Sequence, residues 1–117
     1  HADLFLDTLP YNAHTTCSDA LWMGVPVLTC TGTTFASRVA GSLLNACNLP
    51  ELITDNLSVY EEKALELAKN KETLSHLKQK LLANKATAAL FDTTLFAHNL
   101  ENSYIRMHNR RLRECIK

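Results

Sequence analysis

The stretch ADLFLDTLPYNAHTTCSDALWMGVPVLTC, residues 2–30, decides the fold. Ala2–Asp7 is apolar and short enough for a strand, and it runs into Thr8-Leu9-Pro10-Tyr11-Asn12, a loop by its Pro and Asn. Thr15–Met23 suits a helix, and Gly24 comes after it in the position where helices commonly stop. Val25–Cys30 predicts a second strand, with Pro26 near its start, where a missing N–H is tolerated.

Outward from there the alternation continues. Thr31-Gly32-Thr33-Thr34 reads as a turn able to cap the next helix. Phe35, Val39 and Leu43 recur at helical spacing, predicting a helix to about Ala46, and Glu51–Thr54 predicts a third short strand. Strand, helix, strand, helix, strand is the rhythm of a parallel sheet with crossover helices. The character changes near residue 57: from Leu57 to Lys117 there is no Pro or Gly. Ser58 with Glu61 makes a capping-box pattern for a helix to about Lys69. A second helix carries Leu74, Leu77 and Leu81, and Asp92 can cap a third, whose stripe is Phe96, Leu100, Tyr104 and Met107. The fold class is therefore α/β. Residues 1–57 form the α/β part and 58–117 the helical part of one unit, with the leucine and aromatic stripes expected to pack on the sheet. Trp22 is expected in the core.

Composition agrees with a packed globule: 117 residues, 46% hydrophobic and 21% charged. Twelve basic and twelve acidic residues give a formal charge of zero, which removes the broad positive field that nucleic-acid binding needs. The longest mostly apolar stretch, Ala20–Leu28, contains Gly24 and Pro26 and is far short of the about 20 residues that span a bilayer. Cys17, Cys30, Cys47 and Cys115 include no CxxC pair, and His76, His98 and His108 have no metal-like spacing, so no metal site is expected. Four reduced thiols in a cytoplasmic protein without a signal peptide is the plain reading. The chain opens on His1 rather than Met and reads as a piece of a longer polypeptide.

The segment that carries chemistry joins the first strand to the first helix. A helix start offers unpaired N–H groups and partial positive charge, a good seat for phosphate. Thr15 and Thr16 can add hydroxyl donors, His14 a ring N–H, and Asp19, one turn further along the Thr15 face, can accept from a ribose diol. The same residues also fit a simple N-cap, a carboxylate favouring the positive helix end, and a loop histidine. Thr33, Thr34 and Arg38 form a second polar group that a cap and a surface ion pair would explain.

Ala2-Asp3…Leu6-Asp7-Thr8, Asn12-Ala13-His14-Thr15-Thr16, Asp19-Ala20-Leu21-Trp22, Gly24-Val25-Pro26-Val27, Gly32 and Ala36-Ser37-Arg38-Val39-Ala40…Ser42 together resemble the C-terminal catalytic lobe of the O-linked N-acetylglucosamine transferase family; Leu90-Phe91-Asp92-Thr93 and the helix after it resemble that family's end. The resemblance implies part of a Rossmann-like lobe of a two-lobed, GT-B type inverting glycosyltransferase, usually preceded by tetratricopeptide repeats. It implies UDP-N-acetylglucosamine as donor, Ser or Thr hydroxyls of proteins as acceptor, and no obligatory metal or other cofactor. Residue by residue it implies His14, Thr15 and Thr16 on the diphosphate and Asp19 on the ribose, with no catalytic residue in this stretch. Ala13 and Cys17 stand where animal members have Gly, so the Cys17 side chain either narrows the pocket or faces the core. The other lobe, the acceptor groove and the lysine supporting the departing diphosphate would lie upstream, leaving this piece inactive alone. A protein O-fucosyl- or glucosyltransferase of the same fold is the alternative donor reading. A non-enzymatic interaction module using the leucine and aromatic stripes is the alternative of another class.

Overall fold

The computed structural model describes residues 1–115, and the side chains of residues 1–114. Ile116, Lys117 and the Cys115 thiol lie outside what is described. The elements are β1 (Phe5–Leu6), α1 (Thr15–Trp22), β2 (Val27–Cys30), α2 (Val39–Ala46), β3 (Ile53–Thr54), α3 (Leu57–Lys69), α4 (Lys71–Lys85) and α5 (Thr93–Cys115). The strands form a parallel sheet in the order β1-β2-β3, with Phe5 opposite Val27 and Thr29 opposite Ile53. α1 and α2 are the crossovers, as the alternation predicts. β2 is the middle strand, and all four of its residues are buried, the continuous apolar reading expected of a parallel strand covered on both faces.

Each helix boundary has a local cause. α1 ends where Gly24 takes φ of +78°, and a Cβ there would lie 3.0 Å from Leu82 Cδ2, so conformation and space both call for glycine. Asn56 accepts from the Val59 N–H at 2.9 Å and starts α3 one residue ahead of Ser58, so the expected Ser58–Glu61 box is not the cap. Asn70 ends α3 and starts α4, accepting from the Thr73 N–H at 3.1 Å. Asp92 accepts from the Leu95 N–H at 2.8 Å and starts α5, as predicted.

Other expectations fail for physical reasons. α2 begins at Val39, not Phe35: the Thr34 N–H donates to Ser37 Oγ at 3.1 Å and the Ser37 N–H to Thr34 Oγ1 at 3.3 Å, closing a turn that competes with the helix. Phe35 is left 83% exposed. Arg38 Nε donates to the Gly32 carbonyl at 3.2 Å, a backbone partner rather than a carboxylate. Glu51 and Leu52 fold into a 3-10 turn, leaving only Ile53 and Thr54 in β3. Trp22 is 51% exposed rather than core, because Cys17 and Leu21 take the inward face of α1 and the next residue points away. Its ring meets Phe91 edge-on at 5.0 Å and carries Lys85 Nζ 3.8 Å above it.

The core joins α1, β2, α2, α3 and α4 through Leu21, Leu28, Leu44, Leu67, Leu77 and Leu81. Leu77 and Leu81 thus pack inward as predicted. The α5 stripe does not: Phe96, Leu100, Tyr104 and Met107 are 65%, 39%, 60% and 66% exposed, and every described side chain of α5 is exposed. The strands are only two, four and two residues long, too small a sheet to cover a helix of 23 residues. No helix among the described residues is long and apolar enough to cross a membrane.

Candidate functional site

The site is built at the carboxyl end of the sheet, where ligands settle in open α/β folds. β1 delivers Asp7, 5% exposed, to the start of the loop. Asp7 Oδ1 accepts from the N–H of Thr8 at 2.9 Å and of Ala13 at 2.7 Å, so one carboxylate oxygen grips both ends of the loop. Oδ2 accepts from the Thr29 hydroxyl of β2 at 2.6 Å. The Asp7 carbonyl accepts from the Tyr60 hydroxyl of α3 at 2.8 Å; burial, with the Asp7 charge, pushes the Tyr60 phenol above its ordinary range. Asn12, fully buried, donates from Nδ2 to the Thr8 carbonyl at 3.0 Å, while its Oδ1 has no hydrogen-bond partner.

A second loop braces the first. The Ala36 carbonyl, in the turn before α2, accepts from the Asn12 N–H at 3.1 Å and lies 3.4 Å from His14 Nε2. Because a carbonyl only accepts, Nε2 must carry the proton in that contact. Nδ1 is then an acceptor on the neutral ring and a donor on the cation. Tyr11 stacks on the His14 ring at 4.8 Å, and Phe35 meets it edge-on at 6.2 Å.

His14 occupies the N-cap position of α1, but its side chain makes no capping hydrogen bond, being turned toward Ala36 instead. Its carbonyl takes the Ser18 N–H at 3.1 Å, while the N–H groups of Thr15, Thr16 and Cys17 have no partner among the described residues. Thr15 and Thr16 are exposed and line, with His14, Ala13, Asn12, Tyr11, Thr8 and Phe5, an open cleft of about 400 Å³. The result is a concave surface with the unpaired amides of Thr15 and Thr16, their two hydroxyls and an imidazole at the positive end of a helix. Such a surface can hold an oxyanion.

The structure therefore brings His14, Thr15 and Thr16 into one cleft. Asp19 is exposed one turn further along α1, beside the cleft rather than among its lining residues. Cys17 points inward: its side chain is fully buried, and burial, with the Asp7 and Cys47 charges, pushes its thiol up to about 12. It anchors the turn in the core, and Cys17 is not among the residues lining the cleft. Asp7 is the residue that sequence reading missed as part of the site. Its partners Ala13 and Thr29 stand 6 and 22 residues away, beyond any local pattern.

A larger groove of about 620 Å³ runs along the free edge of β1, between Leu4, Leu6 and the α3–α4 pair, with the Lys78–Asp3 ion pair at its rim. It is mostly apolar and lies apart from the cleft's residues.

Comparisons with known proteins give this geometry a family. The model of glycosyl transferase family 41 matches residues 1–100. A probable UDP-N-acetylglucosamine–peptide N-acetylglucosaminyltransferase of Arabidopsis thaliana, SEC, is 48% identical over 109 residues, which cover 92% of this chain and 11% of that protein. The UDP-N-acetylglucosamine–peptide N-acetylglucosaminyltransferase of Caenorhabditis elegans is 35% identical over 109 residues, covering 93% of this chain and 10% of that protein. A solved structure of a Thermobaculum terrenum O-GlcNAc transferase mutant superposes with a TM-score of 0.84 at 40% identity, over 90% of this chain and 20% of that one. The chain thus spans only 10–11% of the length of these two curated relatives. Over almost all of its own length, in sequence and in fold, it belongs to glycosyl transferase family 41.

Proposed function

We propose that this chain supplies the nucleotide-sugar half of a protein O-glycosyltransferase site, in which N-acetylglucosamine passes from UDP-N-acetylglucosamine to Ser or Thr hydroxyls. The observation that carries this is the open start of α1: the unpaired amides and the hydroxyls of the exposed Thr15 and Thr16. The donor's diphosphate rests on the amides of Thr15 and Thr16 and on the two hydroxyls, with the His14 ring at its side. Asp19 accepts from the ribose hydroxyls. Acceptor attack on the anomeric carbon releases UDP, and the charge that develops on the leaving diphosphate meets dipoles already in place. No metal ion is required by this arrangement.

The rest of the machinery belongs to a second lobe and an acceptor groove in a longer polypeptide, with tetratricopeptide repeats ahead of them. Two surfaces are consistent with such neighbours: the free edge of β1 with its 620 Å³ groove, and the exposed α5 stripe. This chain by itself then turns over no substrate and holds UDP weakly. Titration calorimetry with UDP, on the chain and on the intact enzyme carrying it, checks the division. Tight binding by the intact enzyme and weak binding by the chain are expected; tight binding by the chain and none by the intact enzyme would contradict it. A donor-hydrolysis panel separates N-acetylglucosamine from fucose or glucose.

The exposure of Phe96, Leu100, Tyr104 and Met107 favours a second reading, a partner-binding helix without catalysis. Leu77 and Leu81 are buried in the core and cannot serve it. Replacing His14 and Asp19 together by Ala in the intact protein decides: lost transfer with retained folding supports the enzyme, and unchanged transfer supports neither residue's role.

A further inference from the structure

We infer that Asp7 is a positioning residue for donor binding: its buried carboxylate sets the geometry of the α1 start, so its loss weakens the nucleotide diphosphate rather than merely the fold. This rests on the reading of the α1 cleft as the diphosphate site. Asp7 touches no part of the cleft surface itself. It acts through Ala13, whose N–H it holds at 2.7 Å, one residue before the uncapped His14 and two before the first free amide. The same oxygen holds the Thr8 N–H at 2.9 Å, so the loop between them is closed on a single point. Nothing else among the described hydrogen bonds ties both ends of that loop to one atom.

The grip is rigid because the carboxylate is itself held. Thr29 donates its hydroxyl to Oδ2 at 2.6 Å from the middle strand. The Thr29 carbonyl in turn accepts from Thr54 Oγ1 at 2.9 Å, from β3. A polar line thus crosses the three strands at their carboxyl end, from Thr54 through Thr29 to Asp7, all three nearly or fully buried. Charge-assisted hydrogen bonds of this kind are short and directional, which suits a frame more than a flexible tether. Anion binding by backbone amides depends on where those amides point, and a loop that drifts by an ångström spoils the convergence.

A rival account predicts the opposite sign. Asp7 carries negative charge close beneath an anion site, and simple repulsion would make its removal tighten UDP. The directions of its donors decide between them. The Thr8 and Ala13 amides and the Thr29 hydroxyl all point at the carboxylate and offset its charge toward the cleft, so geometry is expected to win.

The test is UDP titration with the intact enzyme and its Asp7→Asn variant, alongside donor KM, acceptor KM and thermal unfolding. Asp7→Asn keeps the shape and is expected to raise the UDP dissociation constant and the donor KM about tenfold, leaving acceptor KM unchanged. A purely structural role would lower the active fraction and the melting temperature without moving UDP affinity, and that result overturns the inference. Tighter UDP binding overturns it too. Should Asp7→Asn fail to fold, Thr29→Val and Thr29→Ser decide: weaker UDP binding in the Val variant with wild-type binding in the Ser variant supports the frame, and equal affinity in both overturns it. Absence of UDP binding in the wild-type enzyme is the separate outcome that removes the cleft reading, and this inference with it.

Discussion

The start of α1 and the starts of α3, α4 and α5 are made from the same backbone and finished differently. Asn56, Asn70 and Asp92 each turn a side-chain oxygen onto the third amide of their helix, at 2.9, 3.1 and 2.8 Å. Such caps satisfy an otherwise orphaned donor. At α1 the cap position holds His14, whose ring reaches for Ala36 instead, and the amides of the exposed Thr15 and Thr16 stay unpaired beside their hydroxyls. α2 also begins without a side-chain cap, but its first turn, Val39-Ala40-Gly41, offers no hydroxyl. The lesson is that an open helix start is not by itself a site: α1 differs from α2 in setting its unpaired amides beside two hydroxyls and a braced loop, and from α3, α4 and α5 in having no side-chain cap.

The largest test of that contrast is the pair His14→Ala with Asp19→Ala in the intact enzyme. Transfer should fall by about 100-fold or more, as when preorganised donors are removed elsewhere, with circular dichroism unchanged. Transfer within a few-fold of wild type would erase the distinction between the open start and the closed ones. Replacing Thr15 and Thr16 by Ala removes the hydroxyls together with the exposed γ-methyls and should weaken UDP about tenfold, read by calorimetry, without lowering the melting temperature.

The converse change is Asn70→Ala. It should cost about 1 kcal/mol of stability in urea unfolding while leaving UDP affinity alone. If Asn70→Ala weakened UDP as much as the Thr15 and Thr16 changes, the division between structural and binding starts would fail.

The smallest effect belongs to the rim of the β1 groove. The hydrogen bond from Lys78, and its charge, hold the Asp3 carboxyl below its usual 3.8. Its contribution is therefore present above that value and lost as pH falls through the lowered one. Acid unfolding of Lys78→Gln should differ slightly from wild type above that range and coincide with it below. Salt should shrink the difference, since the pair is exposed.

Much of the fold is legible locally. The apolar run of β2, the glycine after α1 and the leucines of α4 each state their role within a few residues, and so does Asp92 ahead of α5. What escapes depends on competition or on distance. Asn56 rather than Ser58 starts α3, because two residues of similar chemistry compete for one cap. Phe35 leaves the α2 pattern because Thr34 and Ser37 bond each other first. Trp22 and the α5 stripe mislead because an apolar side chain says that it seeks cover, not that the cover lies within this chain. In the site, His14, Thr15 and Thr16 stand together in sequence and in space. Asp7 and Ala36 do not, and their part becomes visible only once β1 and β2 are paired and the two loops meet.

The claim that the α1 start carries the donor is tested most directly by a crystal structure of the intact enzyme with UDP. The account predicts diphosphate oxygens about 3 Å from the amides of Thr15 and Thr16, with the ribose hydroxyls on Asp19. A diphosphate bound away from α1, with those amides still facing only solvent, would contradict it.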